Sequence, residues 1–247
     1  MHSSESHWQK PPEHLSLSSS EVHVWRAKLD SMASNVQTLV QILSSDEQAR
    51  AGQFRFQKDR SHYIIARGIL RSILGRYLYS DPHILKFSYS QQGKPTLVQD
   101  QESDRLFFNV THSHGMALYA LARSPGIGID LEYLDTKVSY EQIAEQFFSP
   151  LEIRMLRAVP KEMQRVAFFS CWTRKEAYVK ARGLGLSLAL NQFDVSMTPG
   201  EPAALLATRE ESLDISKWSL YDLFPGPGYI AAIAFERHPA RVMRWQW

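Results

Sequence analysis

Two acidic residues, Asp130 and Glu132, stand two positions apart in the segment GIGIDLE at residues 126–132. Apolar residues at positions 127, 129 and 131 alternate with them, a pattern that predicts a strand with one apolar face. Side chains two apart on a strand point the same way, so the two carboxylates should share one side. Mg²⁺ commonly takes one or two carboxylates and completes its octahedron with water and substrate phosphate. The pair indicates a magnesium site or, taken alone, a strand end with two solvated acids.

A second pattern lies in WTRKEAYVK at residues 172–180. On a helix, Trp172, Glu176 and Lys180 recur every four residues and fall on one stripe. Glu176 beside the strand carboxylates would complete a magnesium site, with Lys180 one turn away for a phosphate. The other interpretation is an exposed helix in which Glu176 and Lys180 form an i,i+4 ion pair and Trp172 belongs to the core.

A third group of polar residues ends the apolar segment FFNVTHS at residues 107–113. Thr111, His112 and Ser113 offer two hydroxyls and an imidazole that can donate to phosphate oxygens, or they form a satisfied turn. His112 and His114 have the H-x-H spacing of a zinc site, but no cysteine or third histidine accompanies them at ligand spacing, which argues against zinc.

Several basic residues precede these segments. Gly93-Lys94-Pro95 predicts a turn that positions one lysine, although this tripeptide is common. Arg60, Arg67 and Arg71 lie on one face of a predicted helix, where a solvated arginine stripe is the expected arrangement. Arg50, just before that helix, is placed to reach a phosphate.

Composition bounds the class of protein. The chain has 247 residues, 44% hydrophobic and 22% charged, with a formal net charge of +2, values ordinary for a soluble globular protein. The sequence has no dense Lys/Arg block of the kind that would predict nucleic-acid binding. It also has no apolar run of the length that would predict a membrane span. The single cysteine, Cys171, fits a reducing compartment, and the polar start at residues 1–10 is unlike a signal peptide. We therefore expect a cytoplasmic enzyme.

The element pattern predicts an α+β protein made of two similar halves. A loose lead-in at residues 1–20 precedes an N-terminal half at 21–125 and a C-terminal half at 126–247. Helices are expected near 36–43, 46–54, 58–79, 140–148, 150–158 and 165–182, and strands near 21–29, 84–90, 105–113, 116–123, 126–133, 193–197, 218–223 and 229–236. YIIARG at 63–68 resembles YVKARG at 178–183, either by chance or through an ancient duplication. Duplication predicts a pseudo-twofold arrangement with the active site in the cleft between the halves.

Together and in order, these motifs resemble the surfactin-type (Sfp-like) 4'-phosphopantetheinyl transferases. The matching segments are GKP at 93–95, FNVTHS at 108–113, GIDLE at 128–132 and WTRKEAYVKARGLGL at 172–186. The resemblance spans roughly residues 45 to 190. It implies the pseudo-dimeric phosphopantetheinyl transferase fold and transfer of 4'-phosphopantetheine from coenzyme A to a serine of an acyl carrier protein. The acceptors would be carrier proteins or carrier domains of fatty acid, polyketide or peptide synthases, and the enzyme would be a monomer.

The resemblance also implies roles for individual residues. Asp130, Glu132 and Glu176 would bind Mg²⁺, or Mn²⁺ in its place, and Glu176 would be the base toward the attacking serine. Lys180 would face the diphosphate and help adenosine 3',5'-bisphosphate depart. The expected coenzyme A contacts are Arg50, Lys94, Thr111, His112 and Lys180. Thr111 stands where many relatives have serine, and relatives often carry cations at the positions of Gln48 and Ala51, so the 3'-phosphate contacts are the least defined.

Three rival functions can be weighed against this one. A different magnesium-dependent phosphotransfer protein that binds a nucleotide diphosphate would be expected to carry a P-loop or a kinase-like glycine-rich loop, and neither motif is present. A non-catalytic binder would be expected to lose an acid at 130, 132 or 176, and all three are kept. A cysteine hydrolase would need a reactive Cys171, which lies in an apolar stretch typical of a buried thiol.

Overall fold

Helices and strands follow one another in the same order twice along the chain. The structure is a computed structural model that describes residues 8–90, 93–99 and 105–247. The first series is β1 (Glu21–Lys28), α1 (Val36–Gln41), α2 (Ser45–Gly52), α3 (Gln57–Leu78), β2 (Phe87–Tyr89), β3 (Pro95–Leu97), β4 (Phe107–Ser113) and β5 (Met116–Ala122). The second is β6 (Ile127–Tyr133), α4 (Tyr140–Phe147), α5 (Pro150–Ala158), α6 (Lys161–Arg182), β7 (Phe193–Val195), β8 (Leu205–Thr208), β9 (Trp218–Leu223) and β10 (Tyr229–Glu236).

The two series also share one sheet topology. The strand order is β1-β5-β4 in the first half and β6-β10-β9 in the second, with antiparallel neighbours throughout both. Each half adds a small antiparallel hairpin, β2-β3 or β7-β8. A last strand, β11 (Arg241–Gln246), returns to pair in parallel with β1. The predicted α+β architecture of two similar halves is confirmed.

The repeat is in a different register from the one that the sequence suggested. In both halves a capping-box serine and glutamate begin a helix, Ser44 with Glu47 and Ser149 with Glu152. Each buried glutamate pairs with the following long helix, Glu47 with Arg67 and Arg71 and Glu152 with Lys175. The equivalent positions are therefore about 105 residues apart. The predicted match of residues 63–68 with 178–183 is wrong, because 63–68 lie within α3 whereas 178–183 end α6 at its glycine C-cap.

The arginines of α3 are not the solvated stripe that we expected. Arg71 is 1% exposed and donates from Nε to Glu47 Oε2 at 2.6 Å. Arg67 binds the other oxygen of Glu47, and only Arg60 is exposed. In the second half, Lys175 Nζ takes the place of Arg71, 2.7 Å from Glu152 Oε1. Charges this deeply buried require such partners, so these residues hold the fold together.

Other differences from the predicted elements concern short or terminal pieces. β3, β8 and β11 were not predicted, and β2 is shorter than the expected 84–90 because residues 82–84 form a 3-10 turn. α2 covers residues 45–52 instead of the expected 46–54 and is capped by Ser44, and α6 begins four residues before the expected Arg165. Residues 1–7 of the lead-in lie outside the described part. Leu15 and Leu17 pack into the first core, so residues 8–20 are not loose.

Among the residues that the structure describes, three apolar cores hold these elements. One lies between α3 and the first sheet, and a second lies around α6 and the second sheet. A third core lies between the two sheets and includes Val24, Leu118, Ile129 and Ile233. The halves are thus joined by an apolar interface along β6. Within the described ranges, no helix combines the length and apolar character that crossing a membrane requires.

A buried histidine in the first core should make stability depend on pH. His23 is 3% exposed, and its Nδ1 lies 2.6 Å from the Tyr77 hydroxyl, which accepts a hydrogen bond from Trp25 Nε1 at 3.0 Å. Burial lowers the pKa of His23 from 6.5 to about 4. Above pH 6.5 the ring is neutral in both the folded and the unfolded chain. Between pH 6.5 and 4 only the unfolded chain gains the proton, so stability falls as pH falls, by about 3 kcal/mol in total.

We expect His23→Asn, which cannot titrate, to lose this part of the pH dependence. Urea unfolding of the wild type and the variant at pH 7 and pH 4.5 measures the difference. The wild type should lose more unfolding free energy than the variant on acidification. Equal losses in the two proteins would show that His23 does not carry the effect.

Candidate active site

The predicted acids lie where the two halves meet. β4 and β6 are edge strands of different sheets, and side chains of β4 contact the acids of β6. Thr111 Oγ1 donates to Asp130 Oδ1 at 3.3 Å, and Ser113 Oγ donates to Glu132 Oε2 at 3.3 Å. The strand alternation inferred for residues 126–132 therefore places both carboxylates beside the first half.

A glycine brings α6 close enough to β6 to complete the group. A Cβ atom on Gly128 would lie 2.1 Å from the Ala177 carbonyl oxygen and 2.3 Å from the Ala181 nitrogen. Because the helix backbone almost touches the strand here, the neighbouring Glu176 and Lys180 lie directly over it. Lys180 Nζ donates to Asp130 Oδ1 at 2.6 Å and to the Ile129 carbonyl at 3.3 Å.

Six predicted site residues line one cavity of about 460 Å³. They are Thr111, His112, Asp130, Glu132, Glu176 and Lys180. Trp172, the third member of the predicted helical stripe, lines it as well. The stripe is therefore not an exposed ion pair, because Lys180 pairs with Asp130 on the neighbouring strand.

The electrostatics of this cavity favour a bound cation. Asp130 is 5% exposed, and its Oδ2 atom has no hydrogen-bond partner among the described residues. Burial, followed by the charge of Asp130, raises the pKa of Glu132 to about 7 and also raises the pKa of Glu176. These are the expected effects of several carboxylates crowded with too little positive charge. A buried carboxylate oxygen without a partner is costly, and a cation would relieve that cost.

The donor set fits Mg²⁺ in its chemistry. Asp130, Glu132 and Glu176 all offer carboxylate oxygens, the hard ligands that this ion prefers. As they stand, no three histidine, cysteine or acidic side chains of the described residues are grouped as a metal site, and Asp130 is held by Lys180. The fit therefore rests on the unpartnered Asp130 oxygen and on the raised pKa values of the two glutamates.

A larger cavity of about 700 Å³ adjoins the first through Val110 and His112, which line both. Arg50, predicted as a phosphate contact, is found here, with its guanidinium 5.7 Å from the centre of the Tyr63 ring. Other lining residues include Phe54, Lys58, Asp59, His62, Arg67, Tyr89, Gly93, Pro95 and His114, of which one is acidic. The cavity thus combines cations with aromatic rings, a surface suited to an anion that carries a flat base.

Sequence reasoning missed Lys58 and His62 as lining residues of this cavity. Their side chains share Asp30, with distances of 3.6 Å and 2.8 Å to its Oδ1 atom. The signal was available, because Lys58 and His62 are one helical turn apart at the start of a predicted helix and follow closely on Arg50.

Lys94 differs from the other predicted contacts, although Gly93 and Pro95 on either side of it line the larger cavity. It is not among the lining residues of either cavity within the described residues. Its ammonium donates to the Lys180 carbonyl at 2.6 Å and to the Ile127 carbonyl at 3.3 Å. Burial, with a smaller effect from Lys180, lowers its pKa to about 8. Burial and the Lys180 charge also lower the pKa of His112.

Comparison with known proteins covers both halves. A family model described as the 4'-phosphopantetheinyl transferase superfamily matches residues 126–234, and one described as 4'-phosphopantetheinyl transferase, N-terminal, matches residues 25–125. The chain is 43% identical to the 4'-phosphopantetheinyl transferase HetI of Nostoc sp. over 92% of each chain.

Two further relatives are more distant. The chain is 31% identical to the 4'-phosphopantetheinyl transferase Sfp of Bacillus subtilis, over 63% of this chain and 66% of the relative. It is 29% identical to the 4'-phosphopantetheinyl transferase psf-1 of Bacillus pumilus over 83% of each. Because the chain is 43% identical to the Nostoc relative over 92% of each chain, it belongs to the 4'-phosphopantetheinyl transferase family.

Proposed function

We propose that this enzyme transfers 4'-phosphopantetheine from coenzyme A to a serine of apo acyl or peptidyl carrier proteins in a Mg²⁺-dependent reaction. The products are the holo carrier protein and adenosine 3',5'-bisphosphate. One observation carries the proposal: three carboxylates and a lysine from β6 and α6 line a single cavity. That cavity opens onto a larger, cationic one of a size for a nucleotide.

Each of these side chains has a role in the proposed reaction. Asp130, Glu132 and Glu176 would hold the metal ion, which would supply positive charge to neutralise the diphosphate and orient the displacement. Glu176 also accepts the proton of the attacking serine hydroxyl as the new bond to phosphorus forms. Lys180 presents an ammonium to the oxygens on which charge grows as the bond to the leaving group breaks.

The remaining expected contacts serve coenzyme A. Arg50 and His112 line the larger cavity, and His112 also lines the smaller one, which suits residues that bind phosphates along the cofactor. Thr111 keeps a hydroxyl at the acidic cavity. A direct contact from Lys94 stays a prediction, since its ammonium binds backbone carbonyls here.

The wider expectations belong to the same proposal. We propose halves at residues 21–125 and 126–247, a monomer, a cytoplasmic location and no interaction with nucleic acid or membrane. The repeated sheet order within one chain supports the halves and the monomer, with the difference that β11 at residues 241–246 joins the sheet of the first half. The single cysteine is buried, and the net charge of +2 is small, which supports the other expectations.

Intact-mass measurement of apo carrier proteins tests the proposed function. Carriers from fatty acid, polyketide and peptide synthases are incubated with the enzyme, coenzyme A and Mg²⁺, beside a relative of known activity as positive control. We expect one phosphopantetheine group to be added to at least one carrier class, and none to a carrier whose acceptor serine is alanine. Carriers that the control enzyme loads but that this enzyme leaves unchanged in all three classes would contradict the proposal.

A further inference from the structure

The edge of β4 that faces β6 carries a row of polar side chains. In the described sheets, β4 pairs only with β5 and β6 only with β10, so the facing edges of the two strands are not joined by a backbone ladder. Alternate residues of β4 bridge the gap instead, as expected for side chains on one side of a strand. We call Asn109, Thr111 and Ser113 the polar ladder.

Asn109 fixes the two strands relative to each other. It is 6% exposed, and its Oδ1 accepts a hydrogen bond from the Ile129 nitrogen at 2.8 Å. Ile129 is fully buried, and a buried backbone N–H without a partner is strongly disfavoured. The amide of Asn109 therefore sets the position of β6 along β4, one residue before Asp130.

The other two members of the ladder reach the carboxylates themselves. Thr111 donates to Asp130 and Ser113 donates to Glu132, both at 3.3 Å. Ser113 Oγ also lies 3.3 Å from His114 Nδ1. A hydroxyl has one proton to donate and lone pairs to accept, so Ser113 can donate to Glu132 while it accepts from His114.

We propose that the polar ladder positions the metal-binding carboxylates, with Ser113 as the positioning residue for Glu132. The inference rests on the proposed function. Groups that hydrogen-bond to a metal-ligating side chain hold that side chain in its orientation. Their loss typically weakens metal binding or activity by about 10- to 100-fold. The polar ladder belongs to the first half and the carboxylates to the second. The packing of the two halves against each other therefore sets the positions of the carboxylates that would hold the ion.

The test compares three variants of the full-length protein. Ser113→Ala removes the hydroxyl, and Ser113→Thr keeps a hydroxyl on a residue that suits a strand. Ser88→Ala is the matched control, because Ser88 bonds to Thr96 in the hairpin at 2.7 Å and lines neither cavity described above. Mn²⁺ affinity is measured by electron paramagnetic resonance without coenzyme A, and kcat and KM are then measured at saturating metal.

We expect Ser113→Ala to bind Mn²⁺ about tenfold more weakly, with a nearly unchanged KM for coenzyme A at saturating metal. Ser113→Thr should regain the wild-type affinity, and Ser88→Ala should keep it. Wild-type Mn²⁺ affinity in Ser113→Ala, or equal weakening in the alanine and threonine variants, would overturn the inference. Wild-type protein that binds Mn²⁺ but loads no carrier would instead count against the proposed function.

Discussion

Gly128→Ala is expected to destabilise the fold by about 3 kcal/mol or more and to abolish most transfer. The added methyl would lie 2.1 Å from the Ala177 carbonyl oxygen and 2.3 Å from the Ala181 nitrogen. Both are helix backbone atoms, which cannot turn away as a flexible side chain does. The helix must therefore move off the strand and carry Glu176 and Lys180 away from Asp130. Urea unfolding and carrier-loading rates measure the two effects.

Gly52→Ala is the matched control for this prediction. Gly52 ends α2, and no atom of the described residues that could obstruct a Cβ lies within 4 Å of that position. Its stability should change little or rise slightly, because alanine reduces the freedom of the unfolded chain. Wild-type stability and activity in Gly128→Ala would mean that the close contact of α6 with β6 is not required.

Glu176→Gln is expected to lower the rate of transfer by about 10²- to 10⁴-fold while the protein remains folded. Glutamine has the shape of glutamate but cannot accept the serine proton. It also removes the negative charge of Glu176 from beside that of Asp130. Burial and then the charge of Asp130 raise the pKa of Glu176, which shows that the charged form is disfavoured there. The thermal midpoint should therefore stay the same or rise. Single-turnover loading of a carrier, followed by intact mass, gives the rate.

The same substitution elsewhere on α6 provides the control. Glu162 is exposed in the first turn of that helix, and Glu162→Gln should transfer at the wild-type rate. Undiminished transfer by Glu176→Gln would remove Glu176 from the mechanism. A drop in both variants would point to a general effect of charge on α6.

Local patterns were sufficient to predict the chemistry of the site. Alternation around Asp130 and Glu132 identified a strand with two acids on one side, and the spacing of Trp172, Glu176 and Lys180 identified a helical stripe. Neither pattern says that strand and helix meet, since β6 ends at Tyr133 and α6 begins only at Lys161. The ordered resemblance to the family predicted that the two segments lie together. In the structure, the close contact of α6 with β6 at Gly128 brings their side chains into one site.

Features that depend on distant partners could not be predicted. Arg67 and Arg71 have the spacing of a solvated stripe, but Glu47, some twenty residues earlier, draws them into the core. The strand β11 pairs with β1 from the other end of the chain. Short strands such as β3 and β8 carry too few residues for a period, and their hairpins define them.

The apparent sequence repeat shows a similar limit. Residues 63–68 lie inside α3 whereas residues 178–183 end α6, so their shared letters do not mark equivalent positions. In each half of the fold, a buried capping-box glutamate pairs with a cation on the next long helix. That cation is Arg71 in the first half and Lys175 in the second. The serine and glutamate of the capping box are the same in both halves, but the cation differs in residue type and so leaves no letter-by-letter signal.

The claim on which the mechanism depends is that acids from β6 and α6 hold one divalent ion. Titration of Mn²⁺ followed by electron paramagnetic resonance counts the ions bound per chain and compares the wild type with Asp130→Asn, Glu132→Gln and Glu176→Gln. We predict one ion per wild-type chain and binding at least about tenfold weaker in each variant. Binding of wild-type strength in all three variants would contradict the account.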